Sequence, residues 1–415
     1  LTIYLVANSS SSIPVRLFRF FSGFGLAVTC LLLLLILTWL STLEQPAKGL
    51  YEVQKRYYDA EAWYVVPELD WLPKINGKPV SLPLPGAYLV SAVLFVNLFL
   101  GGILRIRKGW KNIGVIISHF SMISLLIAGF VSHHYSKEGI MAVYQGDTSD
   151  FAQSYTEYTI EVAEIVNGEK EKPYVLPTEH LKNLGADQSR VFEIPELGIE
   201  LNVSGWMRNS ARVKVDKDDA GKDVIEVDGW ALQWLKTNPT EELNLAGCHV
   251  DVFVEGDQDK TARLVLHGGD PNACTITVDG KIYGLRLMRE IWPMPFQVRL
   301  DESIGEYYPG TRKPSTFQSD ITRIADGSEQ AFRIKMNEPM RYGGYTLYQA
   351  RWEDSGDRPM SGFAIVKNPS DQWPKYSLYI SILGLTIHFG MKLGGFVGKS
   401  SKTKNKEVSS DQATA

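Results

Sequence analysis

Residues 113–132 read IGVIISHFSMISLLIAGFVS, a stretch in which His119 is the only ionisable side chain. About 20 residues of α-helix match the hydrocarbon thickness of a bilayer, so this stretch predicts a membrane-spanning helix. An ionisable side chain inside a span is costly unless it faces a partner, a cavity or a cofactor. Because burial away from water favours uncharged imidazole, we expect His119 to be neutral, the form that binds metal ions and haem iron. His119 is therefore the first candidate functional residue.

Apolar residues elsewhere in the chain are bunched in the same way. The 415 residues are 44% hydrophobic and 22% charged, with a mean hydropathy of -0.11, which taken alone suits a soluble protein. The average is misleading because four apolar stretches stand apart from a polar remainder. They cover residues 24–40, 87–104, 113–132 and 376–397. The sequence predicts a polytopic α-helical membrane protein with four spans and a large soluble insert.

The first apolar stretch is a candidate signal peptide because Arg16 and Arg19 precede it. It is longer than an ordinary signal-peptide core, and no Ala-x-Ala cleavage site follows it. We therefore expect residues 24–40 to remain in the protein as a membrane anchor.

Basic residues in three short segments predict the orientation. Residues 105–112 carry four basic side chains and no acid, the tail 398–415 carries several lysines, and the flank 1–22 carries two arginines. Basic loops face the cytoplasm, and four spans allow all three segments to lie there.

The predicted regions follow from these spans. They are a cytoplasmic flank (1–22), three membrane helices (23–132) with an outside loop (41–86) and a basic cytoplasmic loop (105–112), an extracytoplasmic β-rich domain (133–375), a fourth membrane helix (376–397) and a cytoplasmic tail expected to be disordered (398–415).

The extracytoplasmic region has the patterns of β-structure. Residues 199–203 and 332–336 alternate apolar and polar side chains. Asp279–Gly280, between residues 276–278 and Ile282, is a hairpin signal. The segment predicts a β-sandwich or a pair of β-layers with its own core.

Three further histidines lie near the spans. His388 is in the fourth span, at a depth that can match that of His119, and the two could clamp a haem iron or pass protons. His133 and His134 follow the third span and are candidates for an outer haem or metal contact. The alternatives are structural: a hydrogen bond to a neighbouring helix for His119, a side chain that reaches the membrane interface for His388, and an interfacial position for His133 and His134.

Cysteines and the remaining histidines give weaker signals. Cys248 and Cys274 lie in the predicted outer region and either form one disulfide or stay unpaired thiols. Cys248–His249 lacks the first cysteine of a Cys-x-x-Cys-His haem attachment site, since Leu245 stands there. No ligand spacing surrounds the scattered histidines, and the chain is not itself a c-type cytochrome.

Several function classes lack their motifs. The sequence has no phosphate-binding loop, nucleophile elbow, His-Glu-x-x-His motif or dinucleotide fingerprint. No basic stripe indicates nucleic-acid binding. We therefore do not expect a hydrolase, an ATPase, a dehydrogenase or a nucleic-acid-binding protein.

Three motifs resemble one known family. Residues 42–45 read TLEQ, residues 97–119 carry Asn97, the basic loop and His119, and residues 337–349 read NEPMRYGGYTLYQ. Together with three spans, an outer domain and a fourth span, they resemble the ResB (CcsB) proteins of system II cytochrome c biogenesis.

The resemblance implies a role in cytochrome c maturation. The family's third-span histidine is a haem ligand, so His119 inherits that role, while His388 is suggested by its position alone. The implied cargo is haem b in transit across a bacterial inner (plasma) membrane. The implied partners are a CcsA (ResC)-like haem-binding membrane protein, apocytochrome c and a thioredoxin-like reductant. This chain lacks a tryptophan-rich haem-binding segment, so it needs that partner, and we do not expect it to be an enzyme by itself.

A second hypothesis of another class stays open. The chain could be a membrane-anchored receptor or scaffold that binds a ligand through its outer domain and carries no haem. That hypothesis predicts a replaceable His119 and a colourless protein.

Overall fold

The computed structural model of the protein describes residues 12–68, 74–75, 78–79, 82–181, 184–185, 187–215, 225–254, 261–311, 314–353 and 358–411. The chain divides into two compact units. We call Leu1–Ser136 together with Asn368–Ala415 the helical unit, and Lys137–Lys367 the β-rich unit.

Helices dominate the helical unit. The α-helices of the described residues are α1 (Ile13–Phe21), α2 (Phe24–Lys48), α3 (Leu50–Tyr58), α4 (Ala87–Asn97), α5 (Ile113–Tyr135), α6 (Thr178–Leu181) and α7 (Trp373–Asp411). A π-helical segment, Leu98–Arg105, continues α4, and a 3₁₀ turn, Trp110–Asn112, leads into α5. Only α6 belongs to the β-rich unit.

Four helices are long and apolar enough to cross a membrane. These candidate spans are Phe24–Lys48, Ala87–Arg105, Trp110–Tyr135 and Trp373–Val397. They coincide with the four predicted apolar stretches, which the structure confirms as helices. Two ends differ from the expectation. Helix α2 runs to Lys48, so residues 42–45 are helical, and α7 runs to Asp411, so residues 398–411 have a helical backbone instead of a disordered one.

An apolar core joins α2, α3 and α4. It contains Leu37 on α2, Tyr57 on α3, and Val90 and Leu94 on α4, all buried. The core ties the first two candidate spans to the short helix that follows the first.

Strands build the β-rich unit and two small ribbons of the helical unit. In chain order they are β1 (Tyr64–Val65), β2 (Lys74–Ile75), β3 (Lys78–Pro79), β4 (Leu84–Pro85), β5 (Lys137–Tyr144), β6 (Thr148–Val166), β7 (Glu169–Lys170), β8 (Tyr174–Val175), β9 (Ser189–Ile194), β10 (Ile199–Met207), β11 (Ser210–Lys214), β12 (Trp230–Trp234), β13 (Gly247–Val254), β14 (Ala262–His267), β15 (Cys274–Val278), β16 (Lys281–Tyr307), β17 (Pro314–Ala325), β18 (Ser328–Lys335), β19 (Met340–Tyr342), β20 (Tyr345–Glu353) and β21 (Met360–Lys367).

The strands of the β-rich unit pair antiparallel. The largest sheet has the order β18-β17-β16-β6-β5-β21-β20-β19, with β15 on β16 and with β7 and β8 on β6. A second sheet has the order β14-β13-β10-β9, and β11 pairs with β12. The predicted β-rich region is therefore confirmed.

Tight turns set the register of the hairpins. Asp279 and Gly280 have positive φ angles of 49° and 77°, and Val278 pairs with Lys281 across them. This two-residue turn suits the right-handed twist of the strands and favours Asp-Gly, which confirms the predicted hairpin.

Two apolar cores fill the β-rich unit. The first includes Ile160 on β6, Leu201 on β10 and Leu285 on β16, all fully buried. The second includes Val298 on β16 and Phe363 on β21, also fully buried. Because β6 and β16 are long, each of them contributes side chains to both cores.

Candidate functional site

The imidazole of His119 lies against Gly102. A carbon atom added at Gly102 would lie only 2.2 Å from Cδ2 of His119 and 2.7 Å from Cγ. Only glycine leaves room for this contact, because any side chain would occupy the position of the ring. Gly102 is in the π-helical segment Leu98–Arg105, and such local irregularities are frequent at functional sites.

A hydrogen bond determines which ring nitrogen of His119 is available. Nδ1 lies 2.8 Å from the carbonyl oxygen of Val115, one turn earlier on α5. A carbonyl oxygen can only accept, so Nδ1 carries the proton and the neutral ring has its lone pair on Nε2. Among the described residues, no hydrogen-bond partner occupies Nε2. The ring is only half-buried, so this lone pair is open to an external ligand.

Small residues bring α5 and α7 together. A carbon added at Gly114 would lie 2.5 Å from the carbonyl oxygen of Gly384 and from the backbone nitrogen of His388. One added at Gly384 would lie 2.6 Å from Oγ of Ser118. Ser118 donates its hydroxyl to the carbonyl of Gly114 at 3.0 Å, so it needs no partner from α7. Such close approach through small residues is the usual way in which membrane helices associate.

This interface sets the position of His388 relative to His119. The backbone of His388 is opposite Gly114, and His119 lies five residues further along α5, or about 7 Å at helical rise. No ring contact joins the two imidazoles among the described residues; the ring of His388 contacts Phe389. The backbones of the two histidines are therefore one to two helical turns apart along α5, and their rings do not meet.

Polar groups anchor the second candidate span to the start of the first. Nδ2 of Asn97 donates to the carbonyl oxygens of Phe21 at 2.7 Å and Gly23 at 2.9 Å. Arg105 donates to the carbonyl oxygen of Ser22 at 3.2 Å. These carbonyls lie where α1 ends and α2 begins, and those of Phe21 and Ser22, at the end of α1, have no following turn of that helix to bond them. Asn97 and Arg105 therefore have a structural role, which is to hold the second candidate span against the junction of α1 and α2.

The motif at residues 42–45 holds a buried carboxylate. Glu44 accepts hydrogen bonds from the hydroxyl of Tyr57 at 2.8 Å and from the backbone nitrogen of Glu68 at 2.5 Å. Arg56 pairs with it at 3.4 Å. A buried charge is tolerated only when it is paired and hydrogen-bonded, and Glu44 meets both conditions. It fastens the segment after α2 to the end of that helix.

His133 and His134 form an aromatic cluster at the other end of α5. Nε2 of His134 lies 2.9 Å from the hydroxyl of Tyr88 on α4. The ring of Phe130 is 4.6 Å from that of His134, and the ring of His133 is 4.9 Å from it at nearly a right angle. The sequence did not identify Tyr88, because its partner is 46 positions away.

A cavity lies next to this cluster. Its volume is about 660 Å³, within the range of small-molecule and cofactor sites. Its walls are mostly apolar and come from α2, α3, α4 and α5, with the polar groups of Tyr58, Tyr88, Ser91 and His133 at its edge. No carboxylate, lysine or arginine is part of the lining. The apolar stretches gave no sign of this cavity, since every span contains side chains of the same kind.

The cysteines of the β-rich unit are free. Cys248 is fully buried in the first core, and Cys274 donates its thiol to the carbonyl oxygen of Val265 at 3.6 Å. The disulfide that the sequence left open is therefore not formed in the structure. Burial raises the pKa of both thiols above the usual value, which makes them poor nucleophiles.

The described part of the β-rich unit holds its histidines apart from any metal site. Among the described residues, no three His, Cys, Asp or Glu side chains are grouped to hold a metal ion. His267 contacts the carbonyl oxygen of Ser210 at 3.1 Å. His249 is buried, and its ring nitrogens make no hydrogen bond of good geometry within the described part of the chain.

The motif at residues 337–349 forms a hairpin. Gly343 and Gly344 both have positive φ, 58° and 81°, and Tyr342 pairs with Tyr345 across them. Gln349 accepts a hydrogen bond from Ser319 at 2.7 Å inside the sheet. The motif thus has a structural role: it forms a tight hairpin whose last residue is hydrogen-bonded inside the sheet.

These features define a class of protein: a membrane protein with a histidine-bearing helical unit and a separate β-rich unit. Residues 260–394 match the model of the ResB-like family, so the resemblance seen in the sequence is confirmed over this region. That family is associated with cytochrome c biogenesis. The matched region includes the hairpin motif and His388, whereas His119 and His133 lie outside it. No curated protein matches the chain.

Proposed function

We propose that the protein is a haem-handling subunit of a cytochrome c maturation complex. It would hold haem b in transit across the membrane and help to present it to apocytochrome c. Two observations support this proposal. Residues 260–394 match a family associated with cytochrome c biogenesis, and His119 leaves an unshared electron pair on Nε2 in an otherwise apolar span.

The hydrogen bond of His119 is the observation that carries the proposal. An imidazole that ligates iron almost always donates its other ring nitrogen to a carboxylate, carbonyl or water, which fixes the ring and raises its basicity. The Val115 carbonyl does this for His119. The contact with Gly102, in the second candidate span, restricts the rotation of the imidazole ring on that side. The ring is therefore oriented before haem arrives.

The second iron ligand in this proposal comes from a partner. His388 lies about 7 Å from the level of His119 along the helix axis and its ring contacts Phe389. A CcsA (ResC)-like membrane protein could supply a histidine on the half-buried side of His119. Thioether formation would then belong to the complex, with a thioredoxin-like protein keeping apocytochrome c reduced, and this chain would be an accessory subunit, not an enzyme.

Basic residues support an orientation. Residues 105–112 join two candidate spans and carry four basic side chains, which favours the cytoplasmic side of a bacterial plasma membrane. His119, near that end of α5, would take haem from the cytoplasmic side. The β-rich unit, which follows α5, would then be periplasmic and would meet the partner or apocytochrome c.

An absorption spectrum tests the proposal. The full chain is purified in detergent with and without its co-expressed partner, as wild type, His119→Ala and His180→Ala. His180, on α6 of the β-rich unit, is the control histidine. We expect a Soret band in wild type and in His180→Ala, at least a tenfold loss in His119→Ala, and partial recovery when imidazole is added. Equal haem in all three would reject His119 as a ligand. Colourless preparations throughout would favour the receptor hypothesis.

A glycine substitution tests the geometry without altering the ligand. Gly102→Ala places a carbon where the ring of His119 lies, so we expect haem content to fall. Gly25→Ala is the matched control, because nothing lies within 4 Å of a carbon added there. If both variants retain wild-type haem, the contact with Gly102 does not orient the ligand.

A further inference from the structure

We propose that α1 and residues 105–112 together bind the phosphate headgroups of anionic phospholipids at their end of the candidate spans. We call these two segments the basic surface. Its occupant is the bilayer leaflet in which the spans end. The inference goes beyond the proposed function and does not depend on haem.

Helix α1 has an apolar face and a basic face. Ile13, Leu17 and Phe20 follow each other at intervals of four and three residues, so they share one side of the helix, and Arg16 and Arg19 share another. No residue of α1 is buried, and the three apolar side chains are 74%, 52% and 61% exposed. A helix of this kind is typical of a segment that lies in a membrane interface, with its apolar face among acyl chains and its basic face towards headgroups.

The end of α1 is fixed at the level where the spans begin. The backbone of Gly23 is extended, with φ −79° and ψ 142°, so α1 does not continue straight into α2. Asn97 donates to the carbonyl oxygen of Phe21 at 2.7 Å, and Arg105 donates to that of Ser22 at 3.2 Å. Because Arg105 is the first residue of the segment 105–112, these hydrogen bonds hold α1 beside that segment.

The segment 105–112 adds an aromatic anchor and further charges. Trp110 is 85% exposed, and tryptophan prefers the membrane interface. Lys108 donates to the carbonyl oxygen of Ile103, which keeps its charge at the end of the second candidate span. Four exposed basic side chains of the surface have no hydrogen bond or ion pair within the described residues: Arg16, Arg19, Arg107 and Lys111.

The charge balance of the sequence favours an anionic occupant. Residues 1–43 and 86–137 contain no aspartate or glutamate, so these segments supply no counter-ion for the basic surface. Clusters of four or more basic side chains beside a span attract anionic lipids, and each side chain contributes about fivefold in affinity. A neutral, zwitterionic bilayer would cover the apolar face of α1 and leave the four charges unpaired. Charge complementarity therefore selects anionic headgroups.

Lipid retention tests the proposal. The full-length protein in detergent is mixed with equal amounts of phosphatidylglycerol and phosphatidylcholine, and the lipids that stay bound are counted by native mass spectrometry. We expect wild type to retain phosphatidylglycerol with at least a tenfold preference. Arg16→Gln combined with Arg107→Gln removes one charge from each segment and should reduce the preference to less than twofold. Both side chains are exposed, so the fold should tolerate the changes.

A matched variant removes the same charge elsewhere. Lys172 and Lys236 are exposed in the β-rich unit and have no ion pair within the described residues. Lys172→Gln combined with Lys236→Gln should keep the preference of wild type. If both double variants keep it, or if wild type retains the two lipids equally, the proposal is overturned.

A spin label tests whether the apolar face of α1 lies in the bilayer. The background is Cys30→Ala with Cys274→Ser, in which the remaining thiol, Cys248, is fully buried. A nitroxide is attached at Leu17→Cys or at Val15→Cys, two residues away and therefore nearly opposite on the helix. The protein is placed in lipid nanodiscs that contain phosphatidylglycerol.

The two labels should differ in what reaches them. We expect oxygen, which concentrates in lipid, to reach the label at Leu17 more readily than a water-soluble nickel chelate does, and the reverse at Val15. Equal access of the nickel chelate to both positions would show that α1 lies in water and would overturn the proposal. A label at Leu17 that neither reagent reaches would show that protein covers this face, which would overturn it as well.

Discussion

The helical unit and the β-rich unit of this protein are packed internally in opposite ways. Where α5 meets α7, the helices touch through Gly114, Ser118 and Gly384, and a single added carbon would meet backbone or hydroxyl atoms at 2.5–2.9 Å. In the β-rich unit, large apolar side chains such as Leu201 and Phe363 fill the interior and are fully buried. Adding atoms should therefore destabilise the interface of α5 and α7, whereas removing atoms should destabilise the interior of the β-rich unit.

The reason lies in the surroundings of each unit. Between membrane helices the hydrophobic effect gives little, because lipid is as apolar as a side chain, so close contact of small residues is favoured. A unit in water gains about 25 cal/mol for each Å² of apolar surface it buries, so large side chains are favoured. The contrast predicts which substitutions each unit will tolerate.

Removing atoms from the β-rich core should have the largest effect. Leu201→Ala should lower the free energy of unfolding of this unit by about 2–5 kcal/mol, since it leaves a cavity. Reaction of the fully buried Cys248 thiol with a labelling reagent, in a chain with Cys30→Ala and Cys274→Ser, reports this unfolding. Leu243→Ala is the control, because Leu243 is 62% exposed. Similar labelling rates in both variants would contradict the claim that large buried side chains stabilise the β-rich unit.

Adding atoms at the helical interface should have the next largest effect. Gly384→Leu forces α5 and α7 apart and should destabilise the helical unit by about 1–3 kcal/mol, as overpacking usually does. The melting temperature in detergent measures this, with Gly394→Leu as the control of equal size at an open position. If Gly394→Leu is the more damaging variant, close packing does not stabilise the interface.

Deleting a hydroxyl should lower the stability of the two units by different amounts, and this difference should be smaller than the two effects above. Ser319 donates to Gln349, and its hydroxyl lies 2.7 Å from that of Ser361 inside the sheet. Ser319→Ala should therefore cost about 1 kcal/mol. Ser124 donates only to the carbonyl of Phe120 one turn earlier, at an exposed position. Ser124→Ala should have no measurable effect, and a larger loss from Ser124→Ala would contradict the contrast.

Acid should weaken the β-rich unit through His249. Burial lowers the pKa of this imidazole below its usual value of 6.5, the Arg263 guanidinium lowers it further, and Asp251 partly opposes the shift. The unfolded chain then binds the proton more readily, so this contribution to stability is complete above pH 6.5 and is lost as the pH falls through the folded pKa. Cys248 labelling between pH 7.5 and pH 5 should show this loss. His249→Gln should flatten the profile, and an equally steep profile in that variant would assign the pH dependence to other groups.

The sequence predicted the elements whose signals are local. A stretch of 20 residues in which His119 is the only ionisable side chain is enough for a membrane helix, and Asp279–Gly280 between alternating segments is enough for a hairpin. The contact of His119 with Gly102 and the bond of His134 to Tyr88 were not predictable. They depend on how each helix is rotated about its own axis, which packing over long sequence separations determines.

The ends of elements and the thiols were also hard to predict. Helix α2 passes beyond its apolar stretch because Glu44 is paired with Arg56 and Tyr57, a network that joins residues up to 24 positions apart. Cys248 and Cys274 could not be assigned from spacing, because whether they pair depends on the direction of each side chain within the sheets.

The most direct test of the account replaces the ligand atom of His119 and leaves the position able to bind iron. In His119→Cys, purified with its partner, a thiolate replaces the imidazole as the group that can ligate iron. If His119 ligates haem, the ferrous carbon monoxide spectrum should change from that of nitrogen-ligated to that of thiolate-ligated haem, while His180→Cys should leave it unchanged. A wild-type spectrum and full haem content in His119→Cys would show that His119 does not bind the iron, and would contradict the central claim.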